Sequence, residues 1–585
     1  MVSMMFTGPL VTAATMVAVL ILHILTLPAN AQCPCEGALP ALQSLYNATD
    51  GPHWINPWQN MFSGASVCSL SGINCSSNGN IWIDLPLRHL VGTIPDDFAV
   101  RYPRVAMFAV SLNNLRGTLP RSFALFGEHI GVFDVSNNAQ LGGTLPTEFS
   151  NWTMMNTFWV QNCSIKGTLP SAYASWGSNL RSFYFYSNDI SGTIPPEYSA
   201  WSSTSEFSGS DNLINGTIPR ALISAWKDTM YDFSLSRNGL LTGDLFGSDG
   251  NGFCEWIRIY NFIASDNMFS GSIPSCLSNW GTTIEQLSVS NNLLAGTLPS
   301  SLQSWTVVRN IEFGTNFFEG TLPAVYSLMK KMKIFNAKNN KLTGTLPPQY
   351  GQWSSLLRFY VDGNQLSGTL PDEYYGWGSS VFDIRISQNN LSGTLPASWG
   401  VFTNVERLSL SFNQLTGTLP SSYSAMTSLV VLSLDLNQLQ GPLPASWQSL
   451  TALQAVGLQY NYNLQGPIPP SWSSMRRLLV MAVCNTSICG NASMFFLVGA
   501  FGFTCPQPSA LANPDLDTAA LQQYILASER YSSFPCISTP APASPTPLPS
   551  LQPARNNETT AVLPYTALAQ SSATAAVWSV VRPVP

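Results

Sequence analysis

The sequence contains few charged residues and few of the groups on which enzymes rely. Asp, Glu, Lys and Arg make up 10% of the 585 residues, and acidic side chains outnumber basic ones by 31 to 25. Nucleic acid is not expected as a partner, because phosphate binding requires clustered Lys and Arg. The 4 histidines stand at no informative spacing from a Ser, a Cys or a carboxylate. Since phosphate-loop, kinase and metal-binding motifs are also absent, the sequence predicts neither an enzyme nor a protein that needs a metal or cofactor.

One long apolar run stands at the N-terminus. Residues 10–27 are almost all apolar, and the small-residue triplet Ala29-Asn30-Ala31 follows them. This arrangement is typical of a secretory signal peptide that spans residues 1–31. The alternative is an uncleaved signal anchor, since residues 1–9 carry no positive charge and the apolar run is long. Both alternatives place the rest of the chain at the cell surface or outside the cell.

What the chain has in abundance is a repeat. A box reading Gly-Thr-Leu-Pro or a close variant recurs sixteen times, mostly at intervals of 24 or 25 residues; it begins at Gly92, Gly117, Gly143, Gly167, Gly192, Gly216, Gly243, Gly271, Gly296, Gly320, Gly344, Gly368, Gly393, Gly417, Gly441 and Gly466. Self-similarity at this period is the signature of a leucine-rich repeat solenoid. We therefore predict an α/β-type leucine-rich repeat solenoid of about 16 repeats over residues 81–480. Its concave face is a parallel β-sheet, and its convex face consists of irregular or 3-10 turns.

Within each repeat, a strand precedes a buried asparagine. Leu408 and Leu410 alternate with polar residues, as expected of a strand with one buried face, and Asn413 follows them. A buried Asn can satisfy backbone groups that the turn leaves unpaired. The same column continues at Asn113, Asn188, Asn212, Asn267, Asn292, Asn316, Asn340, Asn364, Asn389 and Asn437. Cys163 occupies one position of this column, so we expect it to be a buried thiol outside any disulfide.

Aromatic residues recur at a fixed phase after each box. One example is Pro347-Pro-Gln-Tyr350-Gly-Gln-Trp353, and most other repeats have a similar pattern. Side chains that recur once per turn at the same register are expected to pack the core. The 17 tryptophans are therefore predicted mainly to fill the convex side, not to form a carbohydrate platform.

Cysteines cluster at both ends of the array, where a solenoid needs to cover its exposed core. We predict an N-terminal cap over residues 32–80 and a C-terminal cap over residues 481–537. The repeat spacing stretches near the loop 247–252, next to a further pair of cysteines. The disulfide candidates are Cys33, Cys35, Cys68, Cys75, Cys254, Cys276, Cys484, Cys489, Cys505 and Cys536.

Export also agrees with the Asn-x-Ser/Thr acceptors for N-linked glycans. They stand at Asn47, Asn74, Asn151, Asn162, Asn215, Asn390, Asn485, Asn491 and Asn557. The Pro/Ser/Thr-rich tail over residues 538–585 cannot build a core and is predicted to be disordered. Its last apolar run, residues 575–581, is too short for a membrane anchor. The sequence leaves open whether the protein is secreted or belongs to a truncated, anchored form.

Polar strand positions that project from the concave sheet are the candidate ligand-binding residues. Two clusters stand out, one aromatic and one rich in arginine, with a serine strip between them. The candidates are Trp159, Gln161, Tyr184, Tyr186, Arg358, Tyr360, Asp362, Asp383, Arg385 and Arg407, and the strip contains Ser208, Ser210, Ser234, Ser236, Ser288 and Ser290. Exposed aromatic and arginine side chains dominate interface energies. The alternative is that neighbouring strands only stack aromatics and pair charges across the sheet.

The repeats resemble plant-type leucine-rich repeat ectodomains, through the extra Gly-x-Ile-Pro segment. Gly393-Thr-Leu-Pro-Ala-Ser-Trp399 and Gly466-Pro-Ile-Pro-Pro-Ser-Trp472 are also similar to repeats of kinetoplastid promastigote surface antigens. The segment Cys68-x6-Cys75 resembles the N-cap of such proteins, which implies a bridge between these two cysteines. The resemblance implies a membrane-anchored or shed surface glycoprotein that binds other molecules and is not an enzyme. From the strand positions we expect its ligand to be a protein or glycan on the concave face. A coat glycoprotein without a specific ligand, or the ectodomain of a truncated receptor, is the alternative.

Overall fold

The computed structural model describes residues 33–59, 61–64, 66–247 and 252–491, and the strand segments 502–504, 530–531 and 533–534. All of them belong to one compact unit, Met1–Cys536. The predicted signal segment 1–31 and the tail 538–585 lie outside the described residues, as do Cys505 and Cys536. The domain boundaries inferred from the sequence therefore remain predictions. Among the described residues, no helix is both long and apolar enough to cross a membrane.

One strand from each repeat joins a single 20-stranded sheet, here called the long sheet. Neighbouring repeats pair in parallel and in register, so that Phe158, Phe183 and Phe207 lie side by side with their rings buried. This arrangement confirms the predicted solenoid. The parallel strands are Ile81–Asp84, Val105–Ala109, Val132–Asp134, Thr157–Trp159, Ser182–Tyr184, Glu206–Ser208, Asp232–Ser234, Asn261–Ile263, Gln286–Ser288, Asn310–Glu312, Ile334–Asn336, Arg358–Tyr360, Asp383–Arg385, Arg407–Ser409, Val431–Ser433, Ala455–Gly457, Val480–Ala482 and Gly502–Thr504, with antiparallel Ile73–Cys75 and Arg530–Tyr531 at the two edges.

The asparagine column forms a buried ladder that joins successive repeats. Asn364 donates from Nδ2 to the carbonyls of Ala337 and Val361 at 2.9 and 3.0 Å, and its Oδ1 accepts the N–H of Leu342 at 3.0 Å. One side chain thus satisfies backbone groups of both its own repeat and the preceding one. The predicted column is confirmed, and the structure adds Asn138, Asn238 and Asn461 to it.

Cys163 takes the ladder position in one repeat, as predicted. Its Sγ lies 3.4 Å from the carbonyl oxygen of Val135, and the residue is buried and outside any disulfide. Burial raises the pKa of this thiol to about 11, so it stays protonated and unreactive at neutral pH.

The glycine boxes lie at a second line of strands, here called the lateral sheet. Gly344 has a φ of 76°, and a Cβ there would lie 2.8 Å from Cγ2 of Thr321 in the preceding box. Both the backbone angle and the close approach explain why this position is glycine. The 11 strands are Val91–Thr93, Asn114–Thr118, Gln140–Thr144, Ser164–Thr168, Asp189–Gly192, Leu213–Gly216, Leu240–Asp244, Met268–Gly271, Leu293–Thr297, Phe317–Thr321 and Lys341–Thr343. Shorter sheets continue at Ser367–Thr369 and Asn390–Ser392, and at Gln440–Gly441, Asn463–Pro467, Ser487–Asn491 and Ser533–Phe534.

The side opposite the long sheet consists mainly of 3-10 turns, most of which start after the proline of the box. Trp353, for example, is buried, stacks on Tyr350 at 4.0 Å and donates from Nε1 to the carbonyl of Tyr326. The prediction that these aromatics fill the core is confirmed. The turns are Arg121–His129, Thr147–Asn151, Ser171–Asn179, Pro196–Ala200, Phe253–Glu255, Ser275–Trp280, Ser300–Ser304, Ala324–Leu328, Pro348–Gln352, Asp372–Trp377, Ala397–Val401, Ser421–Ala425, Ala445–Ser449 and Pro470–Ser474, and α-helices occur at Phe98–Arg101 and Arg220–Ala225.

The N-terminal cap covers the first repeat with the helix Leu39–Ala48 and the 3-10 turns Glu36–Ala38, Gly51–His53 and Val67–Ser69. The bridge predicted between Cys68 and Cys75 is wrong, because Cys33 pairs with Cys68 and Cys35 pairs with Cys75. Cys68 lies in a turn and Cys75 in the edge strand, and each meets one cysteine of the N-terminal segment. Both bridges therefore tie that segment to the cap, instead of closing the short loop between Cys68 and Cys75.

Other cysteines follow the sequence-based expectation. Cys254 and Cys276 form a bridge next to the stretched repeats. Cys484 and Cys489 are both disulfide-bonded at the start of the predicted C-terminal cap. Disulfides are typical of exported proteins, which agrees with the predicted export of this chain.

Candidate functional site

The open face of the long sheet carries all ten candidate ligand-binding residues. In each three-residue strand from Val132–Asp134 to Val480–Ala482 the central residue is buried in the core, and the residues on either side of it point to the open face. The residue two positions after the end of each of these strands, such as Gln161 after Thr157–Trp159, also belongs to the open face. Because the strands are in register, these positions form continuous rows across neighbouring repeats. The structure therefore brings together each of the two clusters predicted from the sequence.

The aromatic cluster consists of Trp159, Gln161, Tyr184 and Tyr186. The rings of Trp159 and Tyr184 stack with centroids 5.6 Å apart, and Tyr186 lies 6.2 Å from Tyr184. The Gln161 side chain is 6% exposed, and its Oε1 accepts no hydrogen bond from any described residue. A buried acceptor without a partner is costly to keep, so this atom is a candidate contact for a ligand N–H or O–H group.

Two acidic residues at the edge of the aromatic cluster were not among the sequence-based candidates. The Tyr184 hydroxyl donates to Glu206 Oε2 at 2.9 Å, and Asp232 is the in-register neighbour of Glu206. Burial, with a smaller contribution from Glu206, raises the pKa of Asp232 to about 6 although Asn261 donates to its carboxylate. Alignment of the strands could have identified both residues, since they occupy the same open-face row as Arg358. The edge of this cluster formed by Glu206 and Asp232 thus carries two carboxyl groups.

The arginine cluster consists of Arg358, Tyr360, Asp362, Asp383, Arg385 and Arg407. Arg385 donates to both carboxylate oxygens of Asp383 at 3.0 and 2.8 Å, and its guanidinium lies 4.6 Å from the Tyr360 ring centroid. The Tyr360 hydroxyl donates to Asp383 at 2.9 Å. The contacts of Tyr360 with Asp383 and Arg385 are cross-strand pairings of the kind that the alternative interpretation predicted, whereas the Arg385–Asp383 ion pair lies within one strand. They also hold a planar guanidinium in a fixed orientation, which is the geometry that recognises carboxylates.

Asp362 is the member of this cluster whose charge is poorly compensated. The side chain is 7% exposed, and Oδ1 has no hydrogen-bond partner in the part of the chain that the structure describes. Burial raises the pKa of Asp362 to about 6, and the nearby positive charge of Lys338 only partly opposes this effect. A buried carboxylate with a free acceptor atom is a candidate for binding a ligand ammonium, guanidinium or N–H group.

We expect Asp362→Asn to stabilise the protein at pH 7.5 by about 1–2 kcal/mol and to have little effect at pH 4. The folded pKa of about 6 lies above the unfolded value of 3.8. The wild-type protein therefore loses stability as the pH rises between these values, whereas the amide does not ionise. Urea unfolding of both proteins at the two pH values measures the difference. An equal effect at both pH values would show that the carboxylate is not destabilised by burial.

Between the two clusters lies the serine strip, whose side chains are short. The Oγ atoms of Ser210 and Ser234 are 2.7 Å apart, and the Oγ of Ser288 lies at the same distance from that of Ser265, a further serine between these strands. The strip runs from the strand Glu206–Ser208 to the strand Gln286–Ser288, and two further strands, Asn310–Glu312 and Ile334–Asn336, separate it from Arg358–Tyr360. At a strand spacing of about 4.8 Å, the two clusters are about 34 Å apart along the sheet. The open face thus carries small hydroxyl side chains next to the aromatic cluster and larger side chains, such as Glu312 and Lys338, before the arginine cluster.

A cleft that was not predicted from the sequence lies where the long-sheet strands begin. The rings of Tyr231 and Tyr260 stack there at 4.9 Å, and Arg309 forms an ion pair with Glu285. Its volume is about 320 Å³, and its lining is completed by Arg258, Thr282, Thr283, Val307 and Lys331. Tyr231, Tyr260, Glu285 and Arg309 each directly precede a long-sheet strand, so a search limited to the concave face misses them.

Among the described residues, one group has the spacing of a metal site. The sulfurs of Cys33, Cys35, Cys68 and Cys75 lie within 4.8 Å of one another in the N-terminal cap. They are paired as two disulfides, and thiolates are what a metal ion would require. We therefore assign these residues to the cap and not to a metal centre.

None of the glycan acceptors that the structure describes is an open-face residue of the repeats, although Asn162 directly follows Gln161. Asn151 is on a convex turn, Asn162 and Asn485 follow strands of the long sheet, and Asn215 and Asn390 are in the lateral sheets. Asn47 and Asn74 belong to the N-terminal cap. Asn557 lies outside the described residues, and Asn491 ends a strand of the four-stranded sheet. Within the described chain, no acceptor stands on the strands from Val105–Ala109 to Val480–Ala482.

Comparison with known proteins supports the fold. A family model described as Leucine Rich Repeat matches residues 404–426. The plant peptide hormone receptor RGFR1 in complex with RGF2 is 23% identical, with a TM-score of 0.62, over 71% of this chain and 63% of that chain. The ectodomain of the Arabidopsis receptor kinase HAESA in complex with an extended IDA peptide hormone is 20% identical, with a TM-score of 0.64, over 78% of this chain and 82% of that chain. The PEPR1–AtPEP1 complex is 19% identical, with a TM-score of 0.55, over 82% of this chain and 84% of that chain.

At these identities the likeness shows the fold, which is that of leucine-rich repeat receptor ectodomains. This chain spans less than two thirds of the length of the first of these receptors. No curated protein matches it in sequence. The resemblance to plant-type ectodomains is therefore confirmed at the level of the fold, and the resemblance to kinetoplastid surface antigens stays a prediction.

Proposed function

We propose that this chain is a non-enzymatic, extracellular or cell-surface protein that recognises a polypeptide ligand on the open face of its long sheet. The observation that carries the proposal is the pair of buried acceptors without described partners, Gln161 Oε1 in the aromatic cluster and Asp362 Oδ1 in the arginine cluster. Each of them stands beside side chains of the types that dominate binding energies. The similar solved structures are receptor ectodomains in complex with peptide hormones, which supports a polypeptide as the ligand class.

The dimensions of the open face suit an extended peptide. The distance of about 34 Å between the clusters matches about ten residues of extended chain. One end of the peptide would pack on Trp159 and Tyr184, and the other would meet the carboxylates and guanidinium groups around Arg385. The serine strip between them offers small hydroxyls to the peptide backbone and leaves room for its side chains. A glycan on the same face is the second candidate ligand, because aromatic and carboxylate groups also bind sugars.

The alternative of a coat glycoprotein without a ligand is less well supported. Glycan display does not need a surface without glycans, yet none of the described acceptors in the repeats is an open-face residue. A glycan map of the purified protein tests this point. Sugars at Asn151, Asn215 and Asn390 beside an unmodified open face would agree with recognition.

We expect Tyr184→Ala and Arg385→Ala each to weaken ligand binding by about tenfold or more, because interface energy concentrates in such anchors. The ligand for this test is a peptide selected from a displayed random library on the full chain, and its affinity is measured by calorimetry. Ser208→Ala, in the strip next to Tyr184, is the matched control and should change the affinity less than about threefold. A selected peptide whose affinity survives both substitutions, or is lost when glycans are removed, would contradict recognition on this face.

A further inference from the structure

Five consecutive strands of the lateral sheet begin with a large, exposed apolar residue. The exposed fractions lie between 44% and 53%, and the residues are Leu213, Leu240, Met268, Leu293 and Phe317, here called the apolar stripe. Each residue stands at the same position of its repeat, shortly after the ladder asparagine. Single exposed apolar residues are common on proteins, whereas five at the same position of consecutive repeats indicate an interaction surface. The strands are staggered, so that Asn215 and Thr242 are the in-register neighbours of Leu240 and Met268.

The stripe is a local feature and not a requirement of the repeat. In the repeats before and after it, the same position is exposed and polar or charged. Those residues are Asn114, Gln140, Ser164 and Asp189 on one side, and Lys341, Gln365, Asn390, Gln414 and Gln438 on the other. The fold therefore tolerates polar residues here, and five neighbouring repeats depart from this pattern together.

The residues at the two ends of the stripe carry opposite charges, and each has an in-register neighbour of opposite charge in the adjacent strand, Lys166 for Asp189 and Glu319 for Lys341. Asp189 precedes Leu213 at the equivalent position, and Lys341 follows Phe317, with its Nζ 5.1 Å from the centre of the Phe317 ring. Met268 stands at the centre, with two apolar residues and one charged residue on each side. When a second row is laid against the first in the opposite direction, apolar residues therefore meet apolar residues, and Asp189 meets Lys341.

We propose that the apolar stripe is a self-association surface, on which two copies of this chain pack with their stripes antiparallel. In such an isologous contact, a residue on one side of the two-fold axis faces the residue of the second copy that lies equally far on the other side of the stripe's centre. Leu213 faces Phe317 of the second copy, Leu240 faces Leu293, and Met268 faces its own counterpart. The same arrangement places Asp189 opposite Lys341 at both ends, so that charge and apolar surface are matched by one symmetry operation.

The position of the stripe is compatible with ligand binding. Its residues start the lateral strands, whereas the candidate binding residues lie on the open face of the long sheet. Two copies joined in this way keep both open faces free. The apolar area per copy is on the order of a few hundred Å², which corresponds to a weak association and not to an obligate dimer.

A glycan acceptor lies within the stripe. Asn215 is half-buried on the strand that starts at Leu213, and it is the in-register neighbour of Leu240. A glycan at Asn215 would stand over these two apolar residues. We therefore expect Asn215→Gln to strengthen self-association of protein made in a glycosylating host.

The test is sedimentation equilibrium of the full chain in the Asn215→Gln background. A dimer with a dissociation constant in the micromolar range is expected, and Met268→Asp should weaken it by about tenfold or more. Gln438→Asp, at the same repeat position outside the stripe, is the matched control and should leave the dimer unchanged. Thermal unfolding of each variant confirms that the repeats remain folded.

Charge reversal tests the antiparallel arrangement. Asp189→Lys and Lys341→Asp should each weaken the dimer, because either change places like charges opposite each other. The double variant should restore the dimer to within about threefold of its original strength. Protein that stays monomeric at about 100 μM, or a dimer that is insensitive to Met268→Asp, would overturn self-association on this stripe. Failure of the double variant to recover would overturn the antiparallel pairing. None of these results depends on ligand binding to the open face.

Discussion

Replacing Trp353 by alanine is expected to lower the free energy of unfolding by about 3–5 kcal/mol, through a large cavity in the core. The indole is fully buried, stacks on Tyr350 and lies 5.4 Å from the ring of Phe335. Its Nε1 donates to the carbonyl of Tyr326 at 3.1 Å, so the substitution also leaves a buried backbone acceptor without this partner. Because the aromatic contacts extend from one repeat to the next, the cavity should also weaken the neighbouring repeats.

Urea unfolding followed by circular dichroism measures this loss. Tyr375→Ala is the matched control, since Tyr375 lies on the same side of the solenoid but is 57% exposed. This control should stay within about 0.5 kcal/mol of the wild type. Similar effects from both substitutions would mean that the fixed phase of the aromatics does not reflect core packing. Ligand affinity at 25 °C should be unchanged in both variants, because neither side chain reaches the open face.

Replacing Asn364 by leucine is expected to destabilise the protein by about 1–3 kcal/mol, because the groups that the amide satisfies remain buried. The leucine side chain can neither accept the N–H of Leu342 nor donate to the carbonyl of Ala337. Both groups lie on the repeat that precedes Asn364, so the substitution removes a connection between successive turns of the solenoid. Leucine is also apolar and of similar size, so the loss reports on hydrogen bonding more than on volume.

Ser290→Ala provides the comparison for the ladder. Ser290 lies on the open face of the long sheet, and its Oγ has no hydrogen-bond partner within the described residues. Its removal should change the free energy of unfolding by less than about 0.5 kcal/mol. If thermal and urea unfolding found equally small changes for Asn364→Leu, the buried ladder would not be what joins the repeats.

The candidate site could be predicted from the sequence only in part. The strand period placed Trp159, Tyr184 and Arg385 on the open face, because alternation along a strand decides which face a side chain joins. The period did not show that Asp362 is buried with a free oxygen, since burial depends on the neighbouring strands and on Lys338. It also did not select Glu206, whose importance arises from the Tyr184 hydroxyl one strand away.

The cysteines show the same limit. The position of Cys163 in the asparagine column was enough to predict a buried thiol, because every residue of that column points inward. The partner of Cys68 was predicted wrongly, since closeness along the chain favours Cys75, whereas the turn at Cys68 faces Cys33. Pairing depends on where the cap folds over the first repeat, and no periodic signal covers that region.

The sequence by itself determined the solenoid, the buried asparagine ladder and the aromatic core, because a repeated side chain meets the same environment in every turn. Only the tertiary structure decided which side chains share a surface across repeats. The stacked rings of Trp159 and Tyr184, the orientation of Arg385 on Tyr360 and the exposed row from Leu213 to Phe317 all join residues about 24 or more positions apart. The physical reason is that the repeat period specifies the environment of each position, whereas contacts between non-repeated side chains depend on strand register and on local burial.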